Sequence, residues 1–536
     1  MTAPRFGSAW RAQVGAEIKN RLRSPASLVA FLVILLGSYW AIPPANGRAS
    51  SVSWRLADGR MQAPELSSSY LGIAVSVLMI IFFLLAAFYL VAGSVKRDRE
   101  RGVGLLLAAS PLGKTAYLGA KLVAHMAFLA LLSLLAVPVG AFHFLRSGVG
   151  SFEWWPFLSP ALLVVLPAAA FVSAMALLFD VTPGLRSKGG LVLWFLVGMP
   201  LLSAFPATQS RETMDGPVQR LPAFDPLGLV MNQYVIQSSL PPGAGGVSTG
   251  YVIHKEAPER VSWRAAAMPP AVVASRVFQL LWAVLPFLAA VLIFDRFDPA
   301  RRSGRARKSG ESTLQTAPES VPPLGVSSLV SLAPVQMRPN LGAAIWAETR
   351  LLWESAHAVK WLLLPAALTA AFLPAAAVPF ASSVFLLLLV PVISEVGCRE
   401  ELAGAGPLVF SQPAVPSSVV LWKFAAVACF LLAVSLPLTL RGVFTGSLQA
   451  LTVPLGLLFV AAFAVAAASL SGGGKLFSGA FLLLWYLGLN GLAGADFSGL
   501  LAPTVTWGPR LGFTLAGAAW LAAAIAWEKR RFRSAS

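Results

Sequence analysis

The sequence predicts an all-α polytopic membrane protein, with about 12 transmembrane helices arranged as two repeated six-helix bundles. Three observations predict it. The chain is 57% hydrophobic and only 12% charged, with a mean hydropathy of +0.73, whereas soluble domains carry about 25% charged residues. Uncharged apolar runs of roughly 17–25 residues recur along it, the length a helix needs to cross the hydrocarbon. A charged connection also recurs at the same place in each half. A β-barrel would show short segments of alternating polarity instead.

In order, the expected spans of the first half are residues 26–42, 71–95, 118–145, 156–179, 189–205 and 277–294. Those of the second are 361–380, 382–396, 419–440, 451–470, 480–492 and 511–527. Several are short or carry proline (Pro138, Pro167, Pro200, Pro286, Pro437), which a bundle tolerates because neighbours satisfy the freed backbone groups. The first run follows a basic lead and ends at Pro43-Pro44 without a small-residue cleavage site, so no cleavable leader is expected.

The net charge of +18 reads as topology, and nucleic acid is not an expected partner. Basic residues cluster before the first span (Arg11, Lys19, Arg21, Arg23), after the second (Lys96, Arg97, Arg99, Arg101), in mid-chain (Arg301, Arg302, Arg305, Arg307, Lys308) and in the tail (Lys529, Arg530, Arg531, Arg533). Placing all of these inside satisfies the positive-inside rule and, with an even number of spans, puts both termini in the cytoplasm of an inner-membrane protein. Trp154-Trp155 reads as part of an interfacial belt.

Three segments follow. Residues 1–297 form a first six-span unit, with an outer loop at 206–271 that holds enough Pro, Gly and aromatics (Phe224, Tyr234, Tyr251, Trp263) for a small folded cap. Residues 298–340, rich in Arg, Ser, Pro and Gly, form a disordered cytoplasmic linker. Residues 341–536 form the second unit. Cys398 and Cys429 make no disulfide framework. The four histidines (His125, His143, His254, His357) have no metal-ligand spacing; His125, inside the third span, reads as core packing or an interface location ahead of a place on a substrate path.

The halves align. Residues 97–124 laid over 399–426 match at Arg97/Arg399, Gly102/Gly404, Gly104/Gly406, Leu106/Leu408, Pro111/Pro413, Lys121/Lys423 and Ala124/Ala426, with Asp98/Glu400 conservative. Each window joins the second span of its half to the third. Each half also opens with an amphipathic helix. Ile345, Trp346, Thr349, Leu352 and Trp353 make one face in the second half, and Trp10, Val14, Ile18 and Leu22 a looser stripe in the first. The shared pairs Ala16-Glu17 and Ala347-Glu348 align the two helices, which are expected to lie flat, apolar side in lipid and basic side toward headgroups.

Phosphate-binding motifs fail. Gly113-Lys114-Thr115 lacks the glycine five residues before Gly113, where Ala108 stands, and Pro111 interrupts the loop. Gly472-Gly473-Gly474-Lys475 is followed by Leu476 instead of Ser or Thr.

A flat basic helix, two spans and then an acidic-glycine stretch resemble the type-2, exporter-like permease domain of ATP-binding-cassette (ABC) transporters. The residues that carry the resemblance are Asp98-Arg99-Glu100-Arg101-Gly102-Val103, Leu105-Leu106-Leu107, Ser110-Pro111 and Gly119-Ala120-Lys121-Leu122. The second copy is degenerate: Arg399-Glu400-Glu401-Leu402-Ala403-Gly404, Ser411-Gln412-Pro413 and Lys423. Val103 stands where the family pattern has Thr. The resemblance implies two six-span units fused in one chain, moving substrate, with export the expected direction. The connections bearing Asp98, Arg99, Glu100, Arg101 and Gly102, and Arg399, Glu400, Glu401 and Gly404, would dock on an ABC-type ATPase subunit that supplies two nucleotide-binding domains. Trp10, Glu17, Trp346, Glu348 and Trp353 would belong to the interfacial helices, in contact with membrane lipid. The chain itself would bind no cofactor and catalyse nothing, ATP and magnesium residing on the partner. A further permease subunit is left open.

Two other classes compete. A secondary transporter with 12 spans would want intramembrane charges for ion coupling, which the apolar runs scarcely hold. A membrane-embedded transferase would want paired acids or a His-Asp pair at a membrane face, and Asp215, Asp225, His254 and Glu256 show no such spacing.

The topology is testable by cysteine labelling in intact cells. Cysteines at Ser303 and Ser536 should resist an impermeant thiol reagent and one at Ser238 should react; labelling of Ser303 from outside contradicts the assignment.

Overall fold

The structure is a computed structural model. It describes residues 6–533 except 43–46, 101, 110–111, 187–189, 191–192, 199, 204–205, 207–220, 242, 255, 265–267, 298–340, 357–358, 375–376, 407–418, 490–493 and 502–506.

The first half begins with α1 (Phe6–Leu22) and the apolar α2 (Pro25–Ala41), whose start is capped by Ser24 accepting from the Ser27 amide. A hairpin, β1 (Ala49–Leu56) and β2 (Met61–Pro64), precedes α3 (Ser68–Phe82), which continues through a π turn at Phe83–Ala87 to Val91. Two short helices, α4 (Ser94–Glu100) and α5 (Val103–Ala109), make the connection to α6 (Lys114–Leu134) and α7 (Ala136–Ser147). Then come α8 (Trp154–Val181), α9 (Leu229–Gln237), β3 (Ala244–Ile253), β4 (Glu259–Val261), α10 (Pro270–Gln279) and α11 (Leu281–Ile293).

The second half comprises α12 (Leu341–Ser355), α13 (Lys360–Phe372), α14 (Val378–Ile393), the short α15 (Arg399–Leu402), α16 (Val419–Val434), α17 (Leu436–Phe444), α18 (Gln449–Ser471), α19 (Lys475–Leu489) and α20 (Trp507–Arg533). In both halves the third span breaks ahead of a proline. The α6/α7 break precedes Pro138, and α16 and α17 meet at 57° just before Pro437. Proline cannot donate to the helix ladder and crowds the preceding turn.

Among the described residues, seven helical runs are long and apolar enough to cross a membrane: Ser68–Arg99, Lys114–Ser147, Trp154–Val181, Pro270–Ile293, Ala381–Leu402, Gln449–Ser471 and Gly508–Arg530. The bent pair Val419–Val434 and Leu436–Phe444 makes an eighth. Shorter apolar helices, Ala30–Tyr39, Trp361–Phe372 and Lys475–Leu489, stand where the first, seventh and eleventh spans are expected. Much of the expected span at 189–205, and the whole 298–340 linker, lie outside the described residues. The seventh span ends at Phe372, short of residue 380, because Pro374 stops the helix and the next begins at Val378.

The chain is a multi-pass helical membrane protein, but not wholly α. Its four strands form one sheet in the order β3-β1-β2-β4; β1 pairs antiparallel with β2 and β3, and β2 runs parallel to β4. The cap is therefore not built from 206–271 alone. Half its strands come from residues 49–64, whose alternation is too short to stand out beside the apolar runs. The exposed Trp154 and Trp155 lie at the start of α8, near the sheet, as an interfacial pair should.

One apolar core runs through both halves. The helices α2 and α3, the latter at its π turn, pack against α19 of the second half. Away from the sheet, a smaller cluster of Val95, Tyr117, Leu118, Phe294 and Phe297 packs under the α4 connection.

Candidate coupling site

The connection face is organised around a buried carboxylate in each half. In the first, Glu17 of α1 is 4% exposed and turned into the protein. Its carboxylate accepts from Arg97 of α4 (2.7 Å) and Lys121 of α6 (3.1 Å), with Arg21 one turn along at 3.3 Å. Lys121, fully buried, also pairs with Asp98 (2.8 Å), and the Tyr117 hydroxyl donates to Asp98 (2.6 Å). Arg21 donates to the carbonyls of Leu90 and Val91 and lies 2.7 Å from Nε2 of His125. Three helices thus converge on one cluster.

The second half builds the same cluster from aligned residues. Glu348 of α12 pairs with Arg399 (2.8 Å) and Glu400 with Lys423. Both lysines also reach back 27 residues to a backbone carbonyl, Lys121 to Ser94 and Lys423 to Val396. The aligned positions differ in one place. Where the first half has Arg21 and His125, the second has Leu352 and Val427, both fully buried in the apolar core. A polar pair on one side is an apolar pair on the other, so the two clusters are alike in plan and unequal in charge.

That inequality shows in the carboxylates. Burial alone raises the pKa of Glu17, but Lys121, Arg21 and Arg97 outweigh it and hold the group down at about 2. Burial likewise raises Glu348, and there Arg399 and Lys423 do not make up the difference, with Glu400 adding repulsion, so Glu348 stays above the ordinary carboxylate range.

The start of the first connection is fixed by Asp180, at the end of α8, which accepts from the Gly93 and Val95 amides and from the Ser94 hydroxyl. Lys475 of the second half donates to the Ala92 carbonyl beside it. Past the connections, Gly102 (φ 74°) and Gly404 (φ 70°) take the left-handed backbone that ends a helix without steric cost.

The expected docking residues divide. Asp98, Arg399 and Glu400 direct their side chains into the clusters. Arg99 pairs with Asp295 (3.1 Å) and lies over the Phe297 ring. Glu401, Gly102 and Gly404 are exposed. The side chain of Glu100, all of Arg101, Ser110-Pro111 and residues 407–418 lie outside the described residues.

The interfacial helices also need correction. Their basic sides were expected toward headgroups, yet Arg21 is buried with Glu17. The inward faces of α1 and α12 are polar anchors, while Trp346 is 72% exposed. Trp10 is half-buried and Trp353 packs near Phe430. Lys121, Lys423, Arg97, Arg21 and His125 were not singled out as site residues. The signal for them was a lysine at the same place in two apolar helices, an expensive choice unless it has a partner.

Residues 44–290 match the family model described as ABC-2 family transporter protein. That stretch is similar to the ABC-2 transporter membrane domain. No curated protein and no solved structure matches the chain. The ABC-2 match takes in the sheet, α3 and α4, and Lys121, and stops within α11. Residues 341–536 lie outside the match; their ion pairs Glu348–Arg399 and Glu400–Lys423 stand at the positions aligned with those of the first half.

The electrostatics predict an acid-labile first cluster. The pKa of Glu17 lies below its ordinary 4.5 in the folded chain, so its contribution is complete above that value and is lost as pH falls toward about 2. Thermal unfolding of the detergent-purified chain should show Glu17→Gln less stable at pH 6 and converging with wild type only as pH approaches about 2. Glu348→Gln, which removes an under-compensated charge, should cost less at pH 6. Equal losses at both positions, or no convergence in acid, would count against the assignment.

Proposed function

We propose that the chain is the permease subunit of an ABC exporter, two six-span units (1–297 and 341–536) fused through the 298–340 linker and driven by ATP hydrolysed on a separate ATPase subunit. The observation that carries the reading is the duplicated cluster: both halves bind an interfacial helix to the connection between their second and third spans, in a chain whose first half is similar to an ABC-2 membrane domain. A force on either connection reaches its interfacial helix and third span through ion pairs that resist separation.

The connection face is the cytoplasmic one in this reading, consistent with its basic residues, and the sheet faces outward. ATP and magnesium bind on the partner, whose two nucleotide-binding domains meet the two connections. Closure of those domains pushes the connections, and the bundles rock between inward and outward openings. Alternating access of this kind is a population shift driven by the differential affinity of the nucleotide-bound partner for one state.

A substrate path is supported by the apolar cavity between the halves, lined by Ile34, Ala74, Leu78 and Leu85 of the first and Gly479 and Leu483 of the second. Ser51 of β1 and Lys475 also line it, and its walls suit an apolar or amphiphilic substrate.

Charge reversal on the connections tests the partnership. Glu401→Lys should lower co-purification of the ATPase, and with Glu100→Lys the loss should reach about tenfold, the equivalent of ~1.4 kcal/mol. Glu256→Lys, in the cap, should leave co-purification unchanged. An intact complex and intact transport with both reversals would remove the coupling role.

A further inference from the structure

The sheet-facing ends of the two halves share a second device. In the first, Asp225 accepts from the amides of Gly228 (3.0 Å), Leu229 (2.9 Å) and Met231 (3.1 Å), and Arg276 of α10 lies 3.9 Å from its carboxylate. Arg276 donates to the carbonyls of Asp225, Pro226 and Leu163, so it staples the turn to α8. In the second, Asp496 accepts from the amides of Ser498 (3.2 Å), Gly499 (2.8 Å) and Leu501 (3.2 Å), with Arg510 of α20 at 3.3 Å. Both turns read Asp-x-x-Gly-Leu: Asp225-Pro226-Leu227-Gly228-Leu229 and Asp496-Phe497-Ser498-Gly499-Leu500. Gly228 (φ 79°) and Gly499 (φ 72°) take the same left-handed backbone. Each turn precedes the last span of its half, which carries the arginine. All four charged side chains are at most 2% exposed.

Both turns hold chain that dips into the bundle. Behind the first, Asn232 of α9 donates to the Ser76 hydroxyl (2.7 Å), and residue 76 lies about 12 Å along α3 from its start at 68. At the second, Gln449 donates to the Gly499 carbonyl (3.2 Å), and a side chain at Gly456 would collide with the Phe497 carbonyl. Backbone at membrane depth is tolerated only where protein satisfies it. A turn needs a capping side chain, but not a buried arginine. A buried Arg-Asp pair is expensive to form and to break, and it fixes one orientation of the dipping segment against the last span.

We propose that these two Asp-x-x-Gly turns and their arginines are paired latches of the outer gate: positioning residues that seat each dipping segment in the mouth of its bundle and release it when the path opens to the sheet side. The gate role rests on the transport reading above; the latch itself does not. The test uses the full-length chain in open membrane fragments, with Cys398 and Cys429 replaced by Ser and a single reporter cysteine beneath each segment. Ser76→Cys reports on the first. Thr452→Cys, on the α18 stripe between Gln449 and Gly456, reports on the second.

Asp225→Asn should raise maleimide labelling of the Ser76 reporter about tenfold and leave the Thr452 reporter protected, and Asp496→Asn should do the converse. Arg276→Lys and Arg510→Lys, which keep the charge but lose the guanidinium fork, should retain part of the protection expected of wild type. Protection unchanged in both Asn variants overturns the latch, and so does exposure of both reporters by either one, which would mark general unfolding. Because labelling is read without ATP or transport, failure of the permease reading would leave this result standing, and loss of transport with unchanged labelling would overturn the latch alone.

Discussion

A buried carboxylate on each interfacial helix holds the connection face together. Glu17 is the carboxylate that Arg97, Lys121 and Arg21 share, and without it three like charges would repel across a poorly solvated space. Because Glu17 accepts from both α4 and α6, the entry helix, the connection and the third span form one unit. Glu348, Arg399, Lys423 and Glu400 repeat that logic in the second half with fewer charges. Such pairs add little net stability against an apolar core of equal volume, but breaking one partner is costly, so they favour a single geometry.

The difference between the halves is informative. The exchange of Arg21 and His125 for Leu352 and Val427 keeps the space filled while removing the polar contact, a change on both sides of the same interface. The first connection also receives the Asp180 cap and the Lys475 contact. In the second, the neighbouring contact is Ser469 donating to the Gly397 carbonyl. The first connection is therefore held by more charge, and a partner with two identical ATPase domains would meet two unequal sites.

Much of this was legible in the sequence. Apolar run lengths located the seven long apolar helices, the bent pair and three shorter apolar helices to within several residues, because the hydrocarbon thickness sets a length that only a helix can satisfy. The duplication was legible from Arg97/Arg399, Asp98/Glu400 and Lys121/Lys423, and the structure places these residues in matching ion pairs. What was not legible was direction. An amphipathic pattern shows that α1 has two faces, not that Glu17 and Arg21 face inward. Charge in the connections suggested a docking surface, but Asp98 and Glu400 are spent inside, leaving the rim to Glu401. The sheet was hidden because β1 and β3 are nearly 190 residues apart in sequence, and no local period links them. Asp225 and Asp496 were obscured similarly, as each looks like an ordinary turn residue until its arginine is seen.

The central claim is that an ion pair across each interfacial helix and connection makes them move as one body. Glu348 and Arg399 are the cleanest place to test it, since Arg399 is partly exposed and Glu348 has no second arginine one turn along. The measurement is ATP-driven transport by the chain with its ATPase for Glu348→Arg, Arg399→Glu and the two combined, at equal membrane levels. The account predicts that each single reversal uncouples hydrolysis from transport and that the exchanged pair recovers most of it. Recovery no better than the worse single variant would contradict it.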